Sequence, residues 1–259
     1  MNPQGIYTLV SGSKTLERQM EATANNLANV STVGYKGDQP AFQQLFAQTM
    51  GTASESDEET FAHHEHLAPY TGVGTFFVST ADMGKNLSAG GMITTGNDLD
   101  FAVVSKDGFF SIATPQGERF TRAGNFRLNQ DGQLVSSDGY PVNGKEGPIK
   151  IEGSDIRLGE DGTVLVDGER AGGLKLVTFP FPSRLMKMGG AMFAPDDAEN
   201  APRILEDPQL AQGMVEMSNV DAVQEMVRMI QANRAYTTTQ KALTSADEMN
   251  RSAIKLAQV

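Results

Sequence analysis

The chain has 259 residues, a net charge of -11 at pH 7 and no cysteine. The negative charge argues against docking on nucleic acid or on anionic lipid, and the missing cysteines exclude disulfides, thiolate metal sites and cysteine nucleophiles. No apolar run is long enough for a bilayer span, so no membrane insertion is expected. The opening MNPQGIYTLVSGSK lacks the basic and apolar regions of a cleaved secretory signal, which predicts the cytoplasm or export without cleavage.

In chain order, Ile6, Leu9, Ser13, Leu16, Met20, Thr23, Leu27 and Val30 are spaced alternately three and four apart. That spacing is the seam of a coiled-coil-like helix, expected within residues 1–36 and closed near Gly34 by a left-handed cap or turn. Residues 37–92 read as a connector. Its stretch 51–74 is acidic, polar and turn-rich, as a flexible loop would be. His63, His64 and His66 fall there. With no cysteine nearby and only Glu65 beside them, adventitious metal binding is expected, with no resident metal or other cofactor.

The middle of the chain changes character. Runs such as FAVV, GFFSIAT, ERFTR and LKLVTF are separated by Asp-Gly and Asn-Gly dipeptides at 107, 131, 138, 143, 161 and 167. This pattern predicts an antiparallel β domain over 93–184, and no exact repeat suggests a propeller or solenoid. Residues 185–217 read as a looser return connector. From Asn219 to Val259 there is no Gly or Pro, which predicts a long helix over 218–259. Val223, Val227, Ile230, Ala235, Ala242, Ala246, Met249, Ala253 and Leu256 form its expected stripe. Ser218 or Asn219 is the expected N-cap, with Asp221 in the first turn. The expected fold class is therefore α+β: a central antiparallel all-β domain flanked by long N- and C-terminal helices that pair.

The helices raise a question of partners. Six strongly apolar seam positions on the first helix contribute roughly 1.5–3 kcal/mol each on burial. Ordering its backbone costs roughly 1–2 kcal/mol per residue, so the helix cannot stand alone. An intramolecular pair with a wet outer face and a contact with other subunits both fit this pattern. Met226, Met229 and Tyr236 lie off the main stripe as surplus apolar surface.

No catalytic constellation stands out. Asp98, Asp100 and Glu118 flank β runs without a histidine or nucleophile motif. NQDGQ lacks the remaining positions of a calcium loop, and Gly72-Val73-Gly74 lacks the third glycine of a dinucleotide loop. An enzyme is not expected.

Both ends carry a resemblance. QMEATANNLANVSTVGYKGDQPAF resembles the ANNLANxxTxGFK-type signature of flagellar rod and hook proteins. Ala24, Asn25, Asn26, Leu27, Ala28, Asn29, Thr32, Gly34, Tyr35 and Lys36 match it, with Tyr35 where Phe is commoner. GMVEMSNVDAVQEMVRMIQANRAYTTTQKALTSADEM is similar to the family's C-terminal pattern, with Thr237 where an acidic residue is common. The stretch from Asp98 to Ile151 resembles its central β domain, and GYPVNGKEGPIKI looks like the proximal-rod branch more than the distal-rod or hook branch. The resemblance implies a structural subunit of the bacterial flagellar basal body, exported through the type III apparatus. Its terminal helices would pack with copies of itself and other rod subunits in an inner tube (D0), and its β domain would form an outer layer (D1). Such a tube would cross the periplasm as a drive shaft. It also implies an interface role for Ile6, Leu9, Leu16, Met20, Asn25, Asn26, Leu27, Asn29, Val30, Val223, Val227, Ile230, Tyr236, Ala242, Met249 and Leu256. The asparagine amides suit such a role because each donates and accepts at once. A secreted β-domain binding module without polymerisation is the competing reading, and a hydrolase with an unrecognised site is a third.

Overall fold

A computed structural model describes residues 3–47, 75–105, 107–159, 161–206 and 208–256. The chain divides into two compact units, one of Met1–Ala22, Pro40–Met83 and Val227–Val259, the other of Thr23–Gln39 and Gly84–Met226. The architecture is mixed, with a helix at each end and antiparallel strands between, as the sequence predicts.

Helix α1 spans Pro3–Ala28. Leu9, Ser13, Leu16, Met20, Thr23 and Leu27 are all wholly or partly covered, while Lys14, Glu17, Arg18 and Glu21 face solvent. The helix stops earlier than the seam suggests. Asn29 donates its side-chain amide to the Asn25 carbonyl (2.8 Å) and to Asn25 Oδ1 (3.0 Å), a local bond that competes with helix continuation. Val30 therefore lies in the turn beyond α1. Gly34, six residues past the end, is not the helix cap but lies in a turn, the other expected role. Its φ of 69° serves a close approach, since a Cβ there would stand 2.2 Å from the Ala123 nitrogen.

Residues of the expected connector form strands β1 (Asp38–Ala47) and β2 (Thr75–Lys85), which pair as a ribbon. TFFVST, rich in aromatic and β-branched residues, is the local signal that was available for β2. The loop 48–74, with His63, His64 and His66, lies outside the described residues.

Helix α2 spans Ala222–Leu256. Asp221 is its cap, Oδ1 accepting from the nitrogens of Val223 (2.8 Å) and Gln224 (3.1 Å). Ser218 and Asn219, the expected caps, bond elsewhere: Ser218 Oγ accepts from the Val220 nitrogen, and the Asn219 amide reaches distant segments. The covered face of α2 also differs from the expected stripe. Glu225, Met229, Ala232, Tyr236, Thr239, Leu243 and Ala246 are buried or half-buried, at a strict four-three spacing. Val223, Met226, Val227, Ile230, Ala242 and Met249 are exposed. No described helix is long and apolar enough to cross a membrane.

The remaining strands, in order, are β3 (Met92–Thr94), β4 (Phe101–Val103), β5 (Phe109–Thr114), β6 (Gly117–Thr121), β7 (Arg127–Leu128), β8 (Leu134–Val135) and β9 (Ile156–Leu158). They continue as β10 (Thr163–Val166), β11 (Glu169–Gly173), β12 (Leu176–Thr178), β13 (Met186–Lys187), β14 (Met192–Ala194), β15 (Arg203–Ile204), β16 (Leu210–Gln212) and β17 (Met214–Glu216). A six-stranded sheet runs β13-β14-β6-β5-β12-β15. A three-stranded sheet runs β11-β10-β9, and β16 pairs β4, β17 pairs β3 and β7 pairs β8. Every ladder between these strands is antiparallel. Residues 185–217 are thus not a loose return, since they supply two edges and an interior strand of the main sheet.

Both faces of that sheet are covered, which is why GFFSIAT reads as a continuous apolar run. Phe110 and Ile112 enter one cluster with Phe101, Phe126, Leu174 and Leu176. Phe109 enters a second with Phe120, Phe179, Leu185 and Phe193. Ring pairs tighten both: Phe110–Phe126 at 5.0 Å and Phe120–Phe179 at 4.9 Å, each near perpendicular. Asp167-Gly168 makes the β10–β11 hairpin, with both residues at positive φ as a type I′ turn needs. Asn143-Gly144 behaves differently. It is extended, bridging Pro148 and Leu174, and is no turn.

Candidate functional site

The signature residues of the N-terminal segment converge on a junction inside the second unit. Asn26 is buried at the end of α1. Its Nδ2 donates to the Asp38 carbonyl (2.9 Å), and its Oδ1 accepts from the Asp38 nitrogen (2.8 Å). One side chain thus acts as a surrogate backbone partner and folds residues 27–37 back on the helix. Tyr35 closes the loop from within, its hydroxyl donating to Asn25 Oδ1 (2.8 Å) and lying 3.2 Å from Asn26 Oδ1. The Lys187 ammonium, on edge strand β13, stands 4.2 Å from the Tyr35 ring centroid and 2.8 Å from Asp38 Oδ1. Burial first, then the charges of Asp38 and Glu225, push the Tyr35 phenol above its ordinary pKa.

Lys36 is the next residue, and it is 1% exposed. Its Nζ donates to Glu216 Oε1 (2.5 Å) and to the Ser88 carbonyl (2.8 Å). Glu216, at the end of β17 and equally buried, also accepts from the Gly90 nitrogen (2.8 Å) through Oε1. Its Oε2 stands 3.5 Å from the Arg122 guanidinium. Arg122 lies over the Phe109 ring at 5.0 Å and donates to the Ser105 carbonyl at 2.9 Å. Burial lowers the pKa of Lys36 and of Arg122, with Glu216 opposing the shift in both. Two buried cations therefore share one buried carboxylate.

Asn219 completes the junction. Its Oδ1 accepts from the Gly37 nitrogen (2.8 Å), and its Nδ2 donates to the carbonyls of Asn86 (2.8 Å) and Ser88 (3.0 Å). Backbone bonds run alongside, from Gly34 to the Glu216 carbonyl (2.7 Å) and from Met217 to the Gly91 carbonyl (2.9 Å). Gly90 is pressed so closely that a Cβ would lie 1.9 Å from the Met217 oxygen.

The residues expected at an interface fall into distinct settings. Asn26 is buried with its amide engaged as above, Asn25 is exposed, and Asn29 and Val30 are half-buried in the turn. Leu9, Leu16, Met20 and Leu27 lie on the covered side of α1. On α2, Val223 is 67% exposed, Ile230 53% and Met249 56%, with Val227 and Ala242 also facing solvent. Tyr236 is half-buried, and its hydroxyl donates to Glu17 Oε1 (2.8 Å) on α1. Ile6 and Leu256 lie within the two helices.

Sequence reasoning quoted Lys36 only as part of the signature, offered Asn219 only as a helix cap, and missed the roles of Glu216, Arg122 and Gly90. The available signal was local. Glu216 stands between Val215 and Met217 in a strand-like run, and a charge in that setting is buried only when paired. Among the described residues, no group of three or more His, Asp or Glu side chains is placed to hold a metal ion.

Three family profiles match the chain in the order of its parts. One described as "Flagella basal body rod protein" covers residues 6–36, and one described as "Flagellar hook protein FlgE/F/G D1 domain" covers 103–166. A third, "Flagellar basal body rod FlgEFG protein C-terminal", covers 211–256. The first and third therefore meet at the junction of Lys36 with Glu216 and Asn219. Among curated proteins, the chain is 32% identical over 267 residues to the flagellar basal-body rod protein FlgG of Bacillus subtilis, covering 98% of each. It is 31% identical over 253 residues to the rod protein FlgF of Caulobacter vibrioides, covering 96% of each. To the FlgF of Rhizobium meliloti it is 33% identical over 236 residues, covering 90% of this chain and 88% of that one. With matches running the whole length and profiles at both ends and in the β body, the chain belongs to the flagellar basal-body rod protein family.

Proposed function

We propose that the chain is a structural subunit of the bacterial flagellar basal-body rod, polymerising through its terminal helices with copies of itself and with other rod subunits. The observation that carries this reading, beside family membership, is the outer face of α2. Val223, Met226, Val227 and Ile230 recur at three-four spacing and are all exposed, while the opposite face of the helix is covered. Each of the four is about half exposed, so covering them with a neighbouring subunit would contribute roughly 3–6 kcal/mol before ordering costs.

The heptad spacing of the covered face and the Tyr236–Glu17 bond support pairing of α1 and α2 in a coiled-coil-like inner layer. In this layout residues 1–36 and 218–259 belong to the inner tube. The β-rich body centred on 93–184, together with the strands that 185–217 adds to it, forms the outer layer, with 37–92 leading into it. The interface set then comprises the exposed stripe of α2 with Ala242, Met249 and Leu256, and Asn25, Asn29 and Val30 at the end of α1, alongside the other seam residues. Relatives bearing the FlgF and FlgG names match at the same level of identity, so a proximal-rod position rests on the segment 139–151. Export through the type III apparatus without a cleaved signal, residence in the periplasmic rod and a non-enzymatic role complete the reading.

The test is a Val223→Asp, Val227→Asp, Ile230→Asp variant, expressed in place of the wild-type chain. Circular dichroism should show a folded monomer, and export should persist, while incorporation into basal bodies and swimming are lost. Normal swimming would overturn the proposal.

A further inference from the structure

The junction joins three segments that are far apart in the chain, residues 34–37, 86–91 and 215–219. The Lys36–Glu216 bond alone spans 180 positions. None of the segments satisfies its own buried groups. Lys36 finds its acceptors on the other two, at Ser88 and Glu216. Glu216 Oε1 finds its donors on the other two, at Lys36 and Gly90. Asn219 likewise bonds one segment through its oxygen and the other through its nitrogen. Withdrawing any one segment leaves a buried charge or amide open in the remaining pair, so partial closure is disfavoured.

The two aromatic clusters of the β body are built from other residues. Two side chains of the junction touch them: Arg122, stacked on Phe109, and the half-buried Leu87, packed against the second cluster. The buried members of both clusters all lie outside the three segments, so opening the junction costs these edge contacts and leaves the phenylalanines packed on one another, which is the condition for a separate cooperative unit.

We infer that these three segments form a single latch, which opens and closes as one body apart from the β core. The signature loop 29–38 becomes ordered only when residues 215–219 arrive. The latch is then a completeness check built into the chain: the end of α1 is fixed in place only once nearly the whole sequence is available to fold. This inference stands on the junction geometry and is independent of the rod reading.

Segment-resolved hydrogen exchange on the full-length chain tests it, with Glu216→Gln and, separately, Asn219→Ala. Glu216→Gln removes the charge from one segment, and Asn219→Ala removes both amide bonds beside it. Residues 29–38 and 86–91 should lose protection together in each variant, on the order of a hundredfold for Glu216→Gln and about tenfold for Asn219→Ala. Strands β5, β6 and β12 should keep wild-type protection. Loss in only one of the two segments, equal loss throughout the β core, or no change in either variant overturns the inference. Should Glu216→Gln fail to fold, Asn219→Ala decides alone on the same criteria.

Discussion

Glu216 faces two cations, and the geometry makes them unequal. Lys36 Nζ lies 2.5 Å from Oε1, whereas Arg122 stands 3.5 Å from Oε2 and has a further partner at the Ser105 carbonyl. Replacing Lys36 by Met leaves the carboxylate with Arg122 and the Gly90 nitrogen. Replacing Glu216 by Leu leaves two buried cations without their shared anion and Gly90 without its acceptor. Breaking a buried pair from one side costs about 3–5 kcal/mol. Glu216→Leu should therefore lose at least that much in urea unfolding at pH 7, and Lys36→Met distinctly less. Equal losses would mean that Glu216 is one half of a simple pair and not the hub of the cluster. Nothing in the sequence ranks these partners. Lys36, Arg122 and Glu216 are each separated by more than eighty positions, and only the fold brings them together.

Elements were legible in proportion to how much of their burial is internal to them. Helix α1 shows its covered side as an apolar seam, and the Asp167-Gly168 hairpin announces itself in two residues. Strands β13 to β17 do not, because at two or three residues each they carry no period and depend on neighbours in the sheet. On α2 the apolar pattern does not mark the covered side: of the expected stripe Ala246 is buried, but Val223, Val227, Ile230, Ala235, Ala242 and Met249 are exposed. The covered positions include Ala232, Thr239 and Ala246, small enough for close approach, while the conspicuous valines and isoleucine face out. Apolar spacing records burial of every kind, including burial against a second molecule. The main sheet also holds a polar contact invisible to pattern: Glu118 on β6 accepts from Ser111 on β5 (2.5 Å) and from Lys175 beside β12 (2.6 Å). Burial raises the Glu118 pKa, but the bonds from Lys175 and Ser111 outweigh it and hold the carboxyl below its ordinary range. A depressed carboxylate stabilises the fold above its unfolded pKa of about 4.3 and loses that contribution as pH falls through the lower folded value. Glu118→Gln should thus be less stable than wild type at pH 7, the gap narrowing toward pH 3. Urea midpoints at the two pH values measure it, and a constant gap would remove Glu118 ionisation from the account.

At the scale of the whole molecule, charge and apolar surface oppose each other. Each chain carries a net charge of -11, so copies approaching one another repel. In the proposed assembly the exposed residues of α2 would attract by a contact that is short-ranged and insensitive to screening. The Debye length falls from about 30 Å at 0.01 M salt to about 8 Å at 0.15 M, which weakens the repulsion over the distances between subunits and leaves the apolar contact intact. Self-association of the purified chain should therefore increase as sodium chloride is raised across that range. Sedimentation velocity at fixed protein concentration reads the effect. The Val223→Asp, Val227→Asp, Ile230→Asp variant, with more negative charge and no stripe, should stay monomeric at both salt concentrations. Association that weakens with salt would point instead to ion pairs between subunits. The outer stripe of α2 would then lose its place as the main contact, since an apolar surface gives no reason for screening to drive copies apart.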